Sequence, residues 1–374
     1  LGLTPLAIAT AREALAGERS RSTIAALSIT VVAGVGLGYP LAGLVAEIGG
    51  VHAAFWAGAI VSFAALLAAA AVLPPSSTAT HPRLDVVGAL LLGAGVAGVL
   101  LALGESEAWG WTSPVLWTVV GGAVVALVCW VLWEHRTPSP LVDLRLARGR
   151  VAFSAHSAAL LVGLSNYLLL ASVPVLAQAP RSAGFGASIL VAGLVLLPFS
   201  AASVVSGRLA RLLADRAGQH LVLPVAALVQ SGAFVLYGLT RTDLWQLFVV
   251  MAAAGLGVGA AFAAFPALVV SAVPASETGS AMSLNQVLRY LGFALGSALT
   301  ATILSAATPA PGAAPGRGGY TTIAVVGFVV CLLTAAVTWL VTGRRPARQT
   351  SEETRRRATA VGDEGLRAPD ASRG

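Results

Sequence analysis

Side chains able to do chemistry are scarce inside the long apolar stretches of this chain, so each can be weighed alone. In SLNQVLRYLGFALG, Asn285 and Arg289 stand one helical turn apart, and Gly292 and Gly296 continue the same face. An amide and a guanidinium so placed either clamp the interior of a bundle or take a substrate or coupling role. Burying an arginine in a membrane costs several kcal/mol on most estimates, roughly 2.5–3.5 on insertion scales, so a partner is expected for Arg289. Asn166 and Tyr167 join a carboxamide to a phenol, which suits the wall of a central cavity. His156 shares a face with Tyr167 but lies about two turns from the end of its stretch, and is read as interfacial. Glu47, at the end of an apolar segment, is read as a rim carboxylate. In RLLADRAGQH (211–220), Asp215 can accept from a helix N-terminus, Arg216 can pair across a seam, and Gly218 allows a left-handed helix cap.

Other chemistries lack residues. Cys129 and Cys331 sit in apolar stretches without metal-type spacing and read as small packing residues. All 23 basic residues are arginine, so no lysine serves a phosphate-binding GxxxxGK loop. GLGVG (255–259) has no preceding strand and reads as a helix-contact face. No set of residues supports an enzyme, a metal or a cofactor. Nor does the charge of +7 mark a nucleic-acid binder, because the arginines are dispersed between apolar runs.

The elements that must position these groups are membrane helices. The chain is 57% hydrophobic and 10% charged, against about 25% charged in soluble domains. Apolar runs long enough to cross a bilayer, about 20 residues, fall near 22–47, 51–73, 84–103, 114–133, 151–172, 187–209, 219–240, 244–272, 278–306 and 321–342. The fold class expected is an all-α polytopic membrane bundle of about ten full transmembrane helices plus an apolar stub at 1–9. The segment from 343 to 374 lacks apolar periodicity and reads as a disordered tail. Arginine orients the bundle, since cytoplasmic loops are enriched in it. With the loop at 10–21 inside, nineteen arginines fall inside and three outside: Arg181, Arg241 and Arg317. The tail is then cytoplasmic.

In GVGLGYPLAGLVAEIGG (34–50), seven of seventeen residues are Gly or Pro, yet the run lies within a helix-length apolar segment. Gly36, Pro40, Gly43 and Glu47 share one face, and Gly34 and Gly38 form a small-xxx-small pair beside it. In a membrane such residues let backbones approach closely, and a face of this kind suits a moving interface. The run resembles the glycine-proline antiporter motif of major facilitator superfamily exporters, matching at Pro40 and Gly43 and departing from it at Tyr39 and Leu44. The turn at 211–220 resembles the superfamily's cytoplasmic Gly-x-Leu-Ala-Asp-Arg-x-Gly loop, with Arg211 in place of the first glycine. Two additional spans, at 84–103 and 114–133, precede a connector, PLVDLRLARGR, and a six-span block. Together these resemble the 14-helix drug:proton antiporter branch.

The resemblance implies a division into 1–73 (the remainder of an N-terminal half), 74–133 (two linker helices), 134–150 (a cytoplasmic connector), 151–342 (a C-terminal six-helix half) and 343–374 (the tail). On that alignment the stub ends helix 4, and helices 1 to 3, with the coupling carboxylate, are absent. It implies alternating access in a bacterial plasma membrane, powered by the proton gradient, with a small-molecule substrate, the lipid bilayer as surroundings and a monomeric state. Efflux of drug-like or amphipathic molecules is the expected activity. Transport of a metabolite or lipid in either direction, or a non-transporting membrane fragment, remain alternatives.

Overall fold

The structure is a computed structural model and describes residues 17–72, 85–110, 112–137, 149–273, 278–310 and 313–342. The stub at 1–9, most of the connector and the tail lie outside the described residues. The described chain is helical. Helix α1 (Gly17–Val72) is two helices merged at Gly50, whose φ of 77° only glycine adopts freely. The spans expected near 22–47 and 51–73 are these two pieces. Then come α2 (Val86–Gly104), the single turn α3 (Ser106–Trp109) and α4 (Pro114–Glu134). The C-terminal block comprises α5 (Arg150–Gln178), α6 (Ile189–Val195), α7 (Leu197–Ala217), α8 (Val222–Leu239), α9 (Leu244–Ala272), α10 (Thr278–Ala306) and α11 (Arg317–Thr342). Among the described residues, eight helical segments are long and apolar enough to span a membrane; α1 is counted once and the apolar part of α2, Val86–Ala102, is shorter. The protein is an all-α, multi-pass membrane protein.

Helices α2 and α4 form a hairpin fixed at its open end. Asp85 caps α2, accepting from the Gly88 amide at 2.8 Å, and also accepts from the Trp133 indole nitrogen of α4 at 3.0 Å. One carboxylate thus starts one helix and holds the end of another. This hairpin leans on α10, where Trp130 and Leu284 pack with Leu91, Leu92 and Leu288.

The C-terminal block carries the main core. α5 packs along α10, α7 along α9, and α8 against both α9 and α11. Apolar side chains gain little by leaving lipid for a neighbouring helix, so packing in a membrane favours small residues that bring backbones together. The α5–α10 seam is built this way. A side chain added at Gly292 would meet the Leu160 carbonyl oxygen and the Leu164 nitrogen, and one added at Gly163 would meet the Arg289 carbonyl. The glycines of 255–259 serve two neighbours: Gly255 and Gly259 meet the α7 backbone at Phe199 and Ser203, and Gly257 meets α8 at Ala226 and Gln230. Ser203 and Ser206 donate to the carbonyls of Gly255 and Leu256 along the same seam.

The span expected at 187–209 is longer and is interrupted. Pro198 has no N–H to offer the Leu194 carbonyl, and the helix breaks at Leu196 between α6 and α7. It then runs on to Ala217, because RLARLLADRA is a good helix former even where it turns charged.

Magnitudes rank two contacts in the α5–α10 seam. Interhelical hydrogen bonds in membranes average about 0.6 kcal/mol, whereas forcing a methyl into a packed contact costs about 1–3 kcal/mol. Gly292→Ala should therefore lower the thermal unfolding midpoint of the purified chain more than Asn285→Leu, which removes the bond from Asn285 to α5. The reverse order would mean the polar link, not the backbone contact, holds the seam.

Candidate functional site

Three places hold the residues singled out from the sequence. The first is where α1 meets α6. Pro40 lies within α1, and Gly43 is buried against the start of α6: an added side chain would come 3.1 Å from the Ile189 carbonyl oxygen and 3.4 Å from the Leu190 Cα. The contact is reciprocal. A side chain added at Gly193 would come 2.9 Å from the Tyr39 carbonyl oxygen and 3.3 Å from the Pro40 Cα. One turn beyond Gly43, the Glu47 carboxylate accepts from the Leu190 amide at 2.9 Å. That amide is in the first turn of α6, where a carboxylate is favoured by free N–H groups and by the helix dipole. Gly38 points into open space, and the surroundings of Gly34 lie outside the described side chains. The α1–α6 contact thus joins a proline-bearing helix to one broken just before Pro198.

The second place is the inner face of α5, α9 and α10. Tyr167 stacks with Phe293 at 5.1 Å between ring centroids, and Phe293 meets Tyr290 edge-on at 5.2 Å. Tyr39 of α1 packs against the core that includes Leu168 and Leu169 of α5, which brings the first place close to the second. The Arg289 guanidinium sits 4.5 Å over the Phe262 ring and donates to the Gln286 side-chain oxygen, while its Nε has no partner among the described residues. Gln286 and Phe262, not an acid, are thus the partners that the sequence left unnamed. Asn285 is 1% exposed and donates to the Ala155 carbonyl at 3.0 Å, so its amide faces α5. Asn166 is also buried, and its side-chain oxygen has no partner among the described residues. His156, about two turns from the start of α5, is buried with 5% exposure. Its neighbours Ala155, Ala158 and Ala159 are small enough to let adjacent helices close over it.

The third place is the turn after α7. Gly218 has a φ of 97° and its N–H donates to the Ala214 carbonyl at 3.0 Å, ending the helix in a conformation that favours glycine. Asp215 and Arg216 are exposed on the last turn, and neither forms an ion pair among the described residues.

Sequence reasoning missed Gly193, Phe262 and the cap made by Glu47. For Gly193 a signal existed: it lies five residues before Pro198, a Gly/Pro pair like that of α1. The geometry separates two glycine substitutions. Gly38→Ala meets nothing and should gain about 0.5–1 kcal/mol from helix propensity, while Gly193→Ala should cost about 1–3 kcal/mol by overpacking against α1. Opposite shifts in unfolding midpoint are expected, and equal shifts would remove the close contact at Gly193.

Comparison with known proteins agrees with this architecture. Residues 155–369, more than half of the chain, match the family described as Major Facilitator Superfamily. The methylenomycin A resistance protein of Bacillus subtilis is 29% identical over 296 residues, covering 77% of this chain and 61% of that protein. A triacylglyceride transporter of Mycolicibacterium smegmatis is 28% identical over 326 residues, covering 79% and 55%. The multidrug resistance protein Stp of Mycobacterium tuberculosis is 28% identical over 318 residues, covering 82% and 56%. The chain thus spans between 55% and 61% of the length of these relatives. A six-helix block matched to the family, in a protein of membrane-length helices, means that the chain belongs to the Major Facilitator Superfamily.

Proposed function

We propose that the protein is a secondary active transporter that exports drug-like or amphipathic small molecules by alternating access, driven by the proton gradient across a bacterial plasma membrane. The observation that carries this reading is the reciprocal glycine contact of α1 with α6. Gly43 and Gly193 each press against the other helix's backbone, beside Pro40 in α1 and the break before Pro198 that ends α6. Contacts of this kind are made and broken by small displacements, and helices broken near the membrane midplane are where transporters build their sites. Pro40 and Gly43 form the moving face, with Gly34 and Gly38 beside them. Asp215, Arg216 and Gly218 form a latch at the cytoplasmic end.

Cargo would be recognised on the inner face. Tyr167, Phe293 and Phe262 offer apolar and aromatic surface, with Arg289 as a cation and Asn166 as a polar position, while Asn285 is spent on the α5 backbone. Pockets for small molecules share this make-up, mostly apolar with a few placed polar groups. Two relatives carry names of resistance to methylenomycin A and to multiple drugs, which supports an amphipathic cargo. A second reading, lipid export, is favoured by the triacylglyceride transporter among the relatives.

Everted membrane vesicles from cells expressing the chain test these readings. Uptake of two chemically unrelated amphipathic dyes is expected, and a protonophore should abolish it. Asp215→Asn should slow uptake by about tenfold, the size of one charge-assisted hydrogen bond made when the latch closes, with the amount of protein in the membrane unchanged. Triacylglyceride transfer without dye uptake would select the second reading. Transport of neither would leave the chain a non-transporting membrane protein.

A further inference from the structure

At the end of the C-terminal block opposite the Asp215 turn, three arginines meet. Arg181 follows α5, Arg241 lies between α8 and α9, and Arg317 opens α11. All three line one cavity of about 270 Å³, together with Phe185, Thr242 and Tyr320. They are 60 and 76 residues apart in sequence and come from the three loops of this end. They are also the three arginines assigned to the outer loops, where the positive-inside tendency disfavours them.

Their setting is unfavourable as it stands. Arg317 begins a 26-residue helix, whose N-terminus carries the positive end of the dipole and repels a cation. Arg241 is half-buried. Burial pulls its pKa below the ordinary arginine value; Tyr237 opposes that shift and Arg317 adds to it. Its guanidinium is held in place by bonds to the Thr321 hydroxyl at 2.7 Å, the Gly238 carbonyl at 3.1 Å and the Arg317 carbonyl at 3.4 Å, and it lies 5.8 Å from the Tyr237 ring. None of these partners is anionic. Asp243, the acid nearest in sequence, is turned to its own helix, where it takes part in the capping box of α9 and accepts from Thr242 and Gln246. Among the described residues none of the three arginines forms an ion pair. Finally, the Tyr320 hydroxyl, fully buried in the cavity wall, has no hydrogen-bond partner among the described residues.

We propose that this cavity is a binding site for a phosphate-type oxyanion, held by Arg181, Arg241, Arg317 and the Tyr320 hydroxyl. Arginine forks and a phenol O–H supply only donors to such a group, which matches a ligand that only accepts. An anion here also ties together all three loops at this end of the block. The same chemistry is offered by inorganic phosphate and by the headgroup of an anionic lipid.

The test uses the full chain and does not involve transport. Its unfolding midpoint is measured in neutral detergent against inorganic phosphate at constant ionic strength, and in nanodiscs of phosphatidylcholine with and without phosphatidylglycerol. A saturable rise is expected in at least one arm. A response to phosphate in detergent makes the free anion the ligand; a response only to phosphatidylglycerol makes it the lipid headgroup. Arg317→Gln and Arg181→Gln, both at exposed positions, should each weaken the response by about tenfold, as expected for loss of a charge-assisted bond. Tyr320→Phe should weaken it less, and Arg208→Gln, at the other end of the block, should leave it unchanged. No rise in either arm would overturn the proposal. So would a rise that Arg208→Gln reduces as much as Arg317→Gln does, since that marks a general charge effect.

Discussion

The arrangement depends on how closely two helix backbones can approach where no hydrophobic force pushes them together. In water, burying a leucine between helices is worth about 1.5–3 kcal/mol. In lipid that term nearly vanishes, and what remains is contact itself, with a few interhelical hydrogen bonds. Glycine supplies the contact. Gly163 and Gly292 join α5 to α10, Gly255 and Gly259 join α7 to α9, and Gly257 faces α8. The six-helix block is therefore held less by its large side chains than by the places where side chains are missing.

The same constraint distinguishes seams that stay shut from seams that can open. Between α5 and α10 the glycines are accompanied by a buried amide bond from Asn285, and the proline of α5, Pro174, lies about three turns from Gly163. Between α1 and α6 the glycines are accompanied by Pro40, by the break at Leu196 and by an exposed carboxylate capping an exposed turn. The first combination is rigid. In the second, each helix has a weak point in its hydrogen-bond ladder close to the contact, and the polar link from Glu47 is exposed.

Much of this was legible in the sequence because lipid imposes a simple rule on it: the helices could be located from apolar length alone. The break at Gly50 was legible too, since IGG interrupts an otherwise apolar run. The break at Leu196 was harder to see. A proline one residue inside a helix is an ordinary starting residue, and nothing local says that another helix runs into it. The burial of His156 did not follow from its depth along α5, because burial depends on which neighbours flank a residue. The small residues around it, Ala155, Ala158 and Ala159, were the available signal. The meeting of Arg181, Arg241 and Arg317 had no local signal, because loops far apart in sequence come together only once the helix order around the block is known.

Arg289 shows how magnitudes decide what a sequence leaves open. An arginine inside a span invites a search for a carboxylate, but between residues 151 and 342 the acids are Asp215, Asp243 and Glu277, and all lie at the ends of spans. Insertion scales put the cost of a central arginine at roughly 2.5–3.5 kcal/mol. A desolvated cation–π contact such as that with Phe262 returns about 2 kcal/mol, and a hydrogen bond from a charged donor to Gln286 about 1.5–3 kcal/mol. The two together offset the cost without any acid. Arg289 can therefore keep a positive charge among Tyr167, Phe293 and Phe262 without a fixed counter-ion, leaving the Nε side of its guanidinium unsatisfied by the described residues. A carboxylate in the same place would have neutralised that charge among the aromatic rings.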